Sequence, residues 1–417
     1  MPDTVTRIDP SDVAPAAAAE DRFDRFRLIS WWDQRRLAAA RVLVLGAGAL
    51  GNEIVKNLAL LGVGRVLIAD MDRVENSNLS RSVLFRAADA GRPKAEVAAE
   101  AARHLYPDGL AHAFAGDVVN ELGRGAVRWA DVVLAGLDNR EARLWVNAAC
   151  FALGRPWVDG AIEQISGVAR VFVPDGHAAA VPGGASPCYE CTMSERDWQL
   201  VRARRSCNLL TRDEMLAGRT PTTPTVGSMI AGLQVQEAVK LLHGLPTMAG
   251  SGLVFSGQTA DAYRASYQRK ADCPAHALVD DVLAIDGGVA DVTGRDVLAL
   301  AERACGRGAV IEFGRDLVER LTCPRCGDEQ AGQTPAGKLR AADVACPGCG
   351  AARAVRTYDK LRGGEPFLGR TLAAMGVPPF DVLVARGPGG SPAVGMELAG
   401  DAARVLGPLA DAGLEWA

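Results

Sequence analysis

No stretch of this chain approaches the ~20 consecutive apolar residues that a membrane-crossing helix needs. Positive charge is not in excess either: 46 Lys and Arg stand against 50 Asp and Glu, for a net charge of −4. That balance argues against a surface built to neutralise a nucleic-acid backbone. The first residues carry Asp3, Asp9, Asp12, Glu20 and Asp21. They therefore lack the basic-then-apolar order of a secretory signal. A cytoplasmic location is expected, with no membrane and no nucleic acid among the partners and residues 1–20 a flexible leader. Internal repeats are missing, and the only low-complexity run is the alanine stretch of that leader.

What is present is ordinary for a globular protein. Hydrophobic residues make up 48% and charged residues 23% of 417, enough for a large core and more chain than one typical domain uses. From Arg41 to about Pro174, β-branched runs such as Val66–Ala69, Val132–Ala135 and Val168–Val173 alternate with Ala- and Leu-rich stretches. This alternation predicts an α/β fold, a Rossmann-like domain with a mostly parallel sheet and its ligand at the carboxyl ends of the strands. That domain is expected over residues 21–276. Residues 175–226, rich in Gly, Pro, Thr and charge, read as a long crossover loop before helical periodicity returns near Met229. A small α+β domain is expected over 277–417, with a capped helix near Thr293 and strands near Val382.

The chemistry begins at Gly46-Ala47-Gly48-Ala49-Leu50-Gly51, directly after the apolar run Val42–Leu45. A glycine turn opening a helix can present its N–H groups to phosphates. Asp70 follows at roughly the 20-residue spacing of a ribose-binding carboxylate, and Asp72 is next to it. To this point a dinucleotide reading survives. Arg81 and Lys94 weaken it, because hydride transfer has no need of them, whereas displacement at an ATP phosphate needs fixed cations to stabilise the charge that spreads over phosphate oxygens. Asp138, just past an apolar strand, is placed to hold Mg²⁺.

These motifs in this order resemble those of the ubiquitin-activating superfamily, the ThiF- and MoeB-like adenylyltransferases. Gly46–Glu53 with Lys56–Leu60 resembles its first motif, and Ser77-Asn78-Leu79-Ser80-Arg81 its Asn-Leu-Asn-Arg-Gln motif, from which Ser80 and Ser82 depart. Gly136-Leu137-Asp138-Asn139 resembles its metal motif, and Val158–Glu163 is similar to a segment of the Nedd8-activating catalytic subunit. The resemblance implies that Asp70, Asp72, Asn78, Arg81, Lys94, Asp138 and Asn139 serve ATP and Mg²⁺ beside Gly46, Gly48 and Gly51. It also implies a homodimer in which Arg22 or Arg25, from Arg22-Phe23-Asp24-Arg25, reaches the partner's ATP.

The chain has 10 cysteines. Cys188/Cys191, Cys323/Cys326 and Cys346/Cys349 are Cys-x-x-Cys pairs, and Cys273 stands three residues before His276. Such pairing in a cytosolic chain points to metal. Cys323, Cys326, Cys346 and Cys349 read as a zinc ribbon over 321–352, each second cysteine followed by a glycine. Cys188 and Cys191 need two further ligands, which Cys273 and His276 supply, so two structural Zn²⁺ sites are expected. Cys207 stands apart in the basic run Arg202–Asn208. The resemblance implies that it is the thioester-forming nucleophile, and that the C-terminal domain is similar to a ubiquitin-fold domain that recruits a conjugating enzyme. A dimerisation module is the rival for that domain.

The expected activity is therefore adenylation of the C-terminal glycine of a ubiquitin-like protein, thioester formation on Cys207 and transfer to a conjugating enzyme. The alternative within the same chemistry is adenylation of a sulfur-carrier protein for thiamine or molybdopterin synthesis, without thioester transfer. A nucleotide-sensing scaffold and a nicotinamide oxidoreductase are more distant readings.

Overall fold

A computed structural model describes residues 21–177, 179–181, 185–206, 221–390 and 393–410. The first of its two sheets has eight strands: β1 (Arg41–Leu45), β2 (Arg65–Ala69), β3 (Leu110–Phe114), β4 (Val132–Ala135), β5 (Trp157–Glu163), β6 (Ser166–Phe172), β7 (Ser251–Ser256) and β8 (Asp261–Ser266). Their order is β3-β2-β1-β4-β5-β6-β7-β8. The first five run parallel and the last three continue as antiparallel hairpins. The expected α/β sheet is thus observed, with an antiparallel wing added to it.

β1 is buried on both faces, as a central parallel strand must be. Val42 and Val44 enter one core with helices α2 (Ala49–Leu60) and α3 (Lys94–Leu105), and Leu43 and Leu45 enter the core on the opposite face. The period of two in side-chain direction makes one short apolar run serve both layers. Helix α1 (Gln34–Ala39) precedes β1, while α4 (Gly125–Trp129) and α5 (Arg140–Ala152) flank β4.

Within residues 175–226, read from composition as a loop, the chain forms helix α6 (Glu195–Ser206). Its start is set by Ser194 and Asp197, since the Ser194 N–H and hydroxyl both donate to the Asp197 carboxylate and the Asp197 N–H returns to the Ser194 hydroxyl. That reciprocal pair is a capping box one residue type away from the usual one, and it lies in a stretch whose overall composition hides it. Helix α7 (Pro224–His243) also begins earlier than its apolar periodicity suggests. Pro224 occupies the first turn, where its missing N–H costs nothing, and Gly244 closes the other end at φ 69°.

The second sheet contains β9 (Asp281–Ile285), β10 (Val310–Thr322), β11 (Glu329–Ala331), β12 (Ala354–Leu361), β13 (Val382–Arg386) and β14 (Ala393–Leu398). They run in the order β11-β10-β13-β14-β9, with β12 also paired to β10. Helix α8 (Gly294–Cys305) follows β9 behind a capping box formed by Thr293 and Asp296. Short helices α9 (Ala341–Val344), α10 (Leu372–Met375) and α11 (Ala402–Leu406) complete the unit. It packs against the first sheet's domain through a buried ion cluster. Asp381 accepts from the Arg124 backbone N–H at 2.8 Å and side chain at 3.1 Å, and from Arg315 at 3.3 Å. Arg128 adds an ion pair to Glu397 at 2.9 Å. None of the described helices is long and apolar enough to cross a membrane.

Candidate active site

The turn between β1 and α2 is built on glycines for steric reasons. Gly46 has φ 91°, and a Cβ there would lie 2.7 Å from the Gly136 carbonyl oxygen; one at Gly51 would lie 1.9 Å from that of Gly46. Over Gly48 there is open space, as a ligand approaching the helix N-terminus requires. Asn52, fully buried one turn into α2, donates to the carbonyls of Ala47 at 2.7 Å and Gly48 at 3.2 Å. Its side-chain oxygen accepts from the Leu84 N–H at 2.9 Å. One amide thus shapes the glycine turn and ties it to the segment that carries Arg81.

Asp70, at the end of β2, faces the same turn. Its carboxylate accepts from the Ala47 N–H at 2.6 Å and the Asp72 N–H at 2.7 Å. Burial raises its pKa above the ordinary carboxylate value, while Lys94 and the two N–H donors pull the other way. Asp72 pairs with Lys94 Nζ at 2.9 Å, and the Lys94 N–H donates to the Asp72 carbonyl. Lys94 is largely enclosed at the first position of α3. Arg81 bonds the Ser77 carbonyl through Nη1 at 2.9 Å, and no carboxylate pairs with it among the described residues. Asn78 is turned inward: its side-chain oxygen caps its own turn by accepting from the Glu75 N–H at 3.0 Å.

Asp138 is exposed just beyond β4, and accepts from Asn139 Nδ2 at 3.1 Å. Asn139 itself caps α5 by accepting the Ala142 N–H at 2.8 Å. Behind this loop lies a network that motif reading passed over. Asp159, wholly buried on β5, is held between Arg143 at 2.8 Å and Arg170 at 3.0 Å. Arg143 also donates to the carbonyls of Leu137 at 2.6 Å and Gly160 at 3.0 Å. Arg143, bonded to both Asp159 and the Leu137 carbonyl, thereby ties the loop that presents Asp138 to β5. The sequence carried two signals: the Val158–Glu163 resemblance, which contains Asp159, and a charge inside each apolar run, Arg143 before Leu144-Trp145-Val146 and Asp159 after Trp157-Val158.

Close approach of Gly136 to Gly46, and hydrogen bonds from Ala47 to Asp70, Asp72 to Asp70 and Lys94 to Asp72, therefore link these residues in series beside the open position at Gly48. The structure brings the glycines, Asp70, Asp72 and Lys94 together. Asp138 follows Gly136 in the same rim, whereas the Asn78 side chain is engaged locally.

Both predicted cysteine clusters assemble. Cys188 Sγ lies 3.7 Å from Cys191 Sγ and 3.6 Å from Cys273 Sγ, and Cys191 Sγ lies 3.3 Å from His276 Nε2. In the other cluster Cys323 and Cys349 are 3.5 Å apart, as are Cys326 and Cys346. In each group all four donor atoms lie within 4.8 Å of one another, the separation that tetrahedral coordination by thiolate and imidazole requires. Gly327 and Gly350, at φ 74° and 72°, let the chain turn back so that their N–H groups bond the carbonyls of Cys323 and Cys346. The Cys326 N–H, aimed at the Cys323 sulfur, is first among the causes that push that thiol down to about 6. Burial instead raises Cys188, so its thiolate needs a cation beside it.

The model of the ThiF family matches residues 21–275. The chain belongs to the ThiF family. It is 33% identical to the sulfur carrier protein ThiS adenylyltransferase of Escherichia coli K12, over 58% of this chain and 87% of that protein. It is 37% identical to the NEDD8-activating enzyme E1 catalytic subunit of Arabidopsis thaliana, over 37% of this chain and 34% of that one. The crystal structure of E. coli MccB with ATP superposes with a TM-score of 0.51 at 21% identity, covering 63% of this chain and 75% of that one; this likeness is one of fold.

Two further expectations concern residues around this family core. Arg22 is engaged within its own chain, donating to the Leu105 carbonyl at 3.0 Å and lying over the rings of Phe23 and Tyr106. Arg25 is exposed, and no side-chain hydrogen bond or ion pair engages it among the described residues. Cys207 lies outside the described residues.

Proposed function

We propose that this ThiF-family protein uses Mg-ATP to adenylate the C-terminal glycine carboxylate of a small carrier protein of the sulfur-carrier type. The observation that carries this reading is the contact chain from Gly136 through Gly46 and Asp70 to Lys94. It links the turn into an open helix N-terminus with the acidic and basic groups that adenylation needs. Gly48 and the first turn of α2 receive phosphate oxygens, and Asp70 accepts from the ribose hydroxyls on lone pairs left free by the Ala47 and Asp72 N–H groups. Lys94, oriented by Asp72, and Arg81 neutralise the triphosphate. Asp138 would hold Mg²⁺, which supplies charge neutralisation at the phosphates when bound.

In the reaction the glycine carboxylate attacks the α-phosphorus, a carboxyl–phosphate bond forms, and the bond to the β-phosphate breaks. Pyrophosphate carries the electron pair away. No side chain acts as nucleophile, so the protein's contribution is positioning and charge. Cys188, Cys191, Cys273 and His276 would hold one structural zinc, pinning residues that precede α6 to the end of the domain, and Cys323, Cys326, Cys346 and Cys349 a second.

The extent of the two resemblances favours the sulfur-carrier substrate. The match to the ThiS adenylyltransferase spans 87% of that enzyme, and the match to the NEDD8-activating subunit spans 34% of its own. The second reading is thioester transfer through Cys207 to a conjugating enzyme, supported by Cys207 in its basic segment after Cys188 and Cys191. Glycine-terminated small proteins from the source cell, incubated with Mg-ATP and either wild type or the Cys207→Ala variant, separate the two. Equal pyrophosphate release without a thiol-sensitive adduct supports the sulfur-carrier reading, whereas an adduct that requires Cys207 replaces it with the second.

A homodimer completes the proposal, with Arg25 rather than Arg22 reaching the partner's nucleotide, because Arg22 is already bonded to Leu105. Arg25→Ala should lower adenylation turnover by about tenfold or more, an arginine clamp on transferring phosphate being worth at least that much, and leave the melting temperature unchanged. Arg22→Ala should instead lower the melting temperature. The reverse pattern in paired activity and melting assays would exchange the two roles.

A further inference from the structure

The C-terminal domain touches the nucleotide-binding unit at one functionally placed segment, the turn Gly116–Glu121 that follows β3. This turn begins beside Asp70, whose N–H donates to the Phe114 carbonyl at 3.1 Å. Phosphates over the β1–α2 turn and ribose at Asp70, at the end of β2, direct the rest of a nucleotide outward toward the end of β3. A base extending that way would meet this turn, which follows β3 directly.

The turn is organised by its own acids and then held from outside. Asp117 accepts from the Val119 N–H at 2.8 Å and Asn120 Nδ2 at 2.7 Å, and its own N–H donates to Glu121 at 2.8 Å. Two residues of the other domain grip it. Arg315 Nη1 donates to the Val119 carbonyl at 2.9 Å, and Lys338 forms an ion pair with Glu121. Gly337, next to Lys338, packs on the Asn120 side chain so closely that a Cβ there would be 2.8 Å from Nδ2. Burial raises the Glu121 carboxyl, but the Asp117 N–H and Lys338 outweigh it and hold it below the usual value. Arg315 does a second task. Its guanidinium lies 6.0 Å from the Trp145 ring of α5, the helix that begins directly after Asp138 and Asn139. It is buried, and its Nε has no hydrogen-bond partner among the described residues.

We infer that Arg315 and Lys338 are positioning residues for ATP: the C-terminal domain closes the base-side wall of the nucleotide pocket by fixing the Gly116–Glu121 turn. The inference rests on the proposed nucleotide site. It gives the ribbon-bearing domain a role in nucleotide affinity that is separate from any partner it recruits. A grip on one wall shared by two domains acts as a coupling free energy between domain docking and nucleotide binding.

The test is calorimetric binding of a non-hydrolysable ATP analogue with Mg²⁺ to the full chain, in the absence of any carrier protein. Lys338→Glu places a like charge against Glu121 on a partly exposed pair and should raise the dissociation constant about threefold. Arg315→Ala should raise it about tenfold, both within the ordinary range of coupling between sites. Lys338→Arg keeps the cation and should bind as the wild type does. In pyrophosphate exchange the same variants should raise KM for ATP and leave KM for the carrier unchanged. Should Arg315→Ala fail to fold, Lys338→Glu against Lys338→Arg decides alone. Dissociation constants for Lys338→Glu and a folded Arg315→Ala within experimental error of wild type would overturn the inference. A wild-type chain that binds no analogue would overturn the nucleotide site itself, and this inference with it.

Discussion

Replacing Lys94 with alanine is expected to lower the rate of carrier-dependent ATP–pyrophosphate exchange by about 10²–10³-fold, the range measured when one preorganised charge-stabilising group is removed. The size of the effect follows from the position of the side chain. Lys94 is largely enclosed and is held at 2.9 Å by Asp72, the residue whose N–H bonds the Asp70 carboxylate beside the glycine turn. In an enclosed site of low effective dielectric, a fixed ammonium acts on developing phosphate charge far more strongly than one in water. Folding should hardly notice the change. Lys94 begins α3, where alanine is at least as good a helix former, and the Asp72 carboxylate it leaves behind is 41% exposed and can be hydrated. Steady-state exchange together with a melting curve checks the prediction. A comparable loss of melting temperature would mean that Lys94 is structural.

The second large effect concerns the metal ligands of the C-terminal domain. The segment around Cys323 to Cys349 has a core of its own consisting of Val318, Leu321 and Val344, with Ala336 and Leu339 partly buried against them. So few apolar contacts cannot offset the entropy of ordering the segment, at ~1–2 kcal/mol for each residue's backbone. A zinc ion held by the Cys₄ cluster would supply the difference, as structural zinc does in other small units. Cys346→Ser, or exposure to a strong chelator, should therefore make residues 323–352 sensitive to protease, while the eight-stranded sheet stays resistant. Limited proteolysis followed by intact mass is the measurement. Unchanged resistance after complete metal removal would show that packing alone holds the segment. The Cys188, Cys191, Cys273 and His276 cluster sits against a larger core that includes Phe151 and Trp157, so its loss should loosen the start of α6 rather than unfold the domain.

The glycine turn and the carboxylate facing it, the proposed nucleotide site, were legible because their parts are local. A glycine turn after an apolar run, a carboxylate at a fixed spacing and ordered basic residues are all properties of short segments, and sterics at Gly46 and Gly51 leave few alternatives. The metal clusters were legible for the same reason, since Cys-x-x-Cys spacing itself sets the geometry of half a site. What could not be read were contacts between distant segments. Asn52 looks like any polar residue in a helix until its amide is seen joining the glycine turn to Leu84. Arg143, Asp159 and Arg170 come from one helix and two strands, and only the fold shows that they form one buried network. Helix α6 was hidden by average composition, although Ser194 and Asp197 marked its start. That Arg22 is engaged within its own chain likewise depends on Leu105, far away in the sequence.

Carrier adenylation is tested most directly by exchange of labelled pyrophosphate into ATP by the purified chain with Mg²⁺, with and without a glycine-terminated sulfur-carrier protein from the same cell. Exchange should require the carrier, disappear when its terminal glycine is removed, and fall with Lys94→Ala. Exchange that is indifferent to every such carrier, or absent although the chain binds ATP, would contradict carrier adenylation.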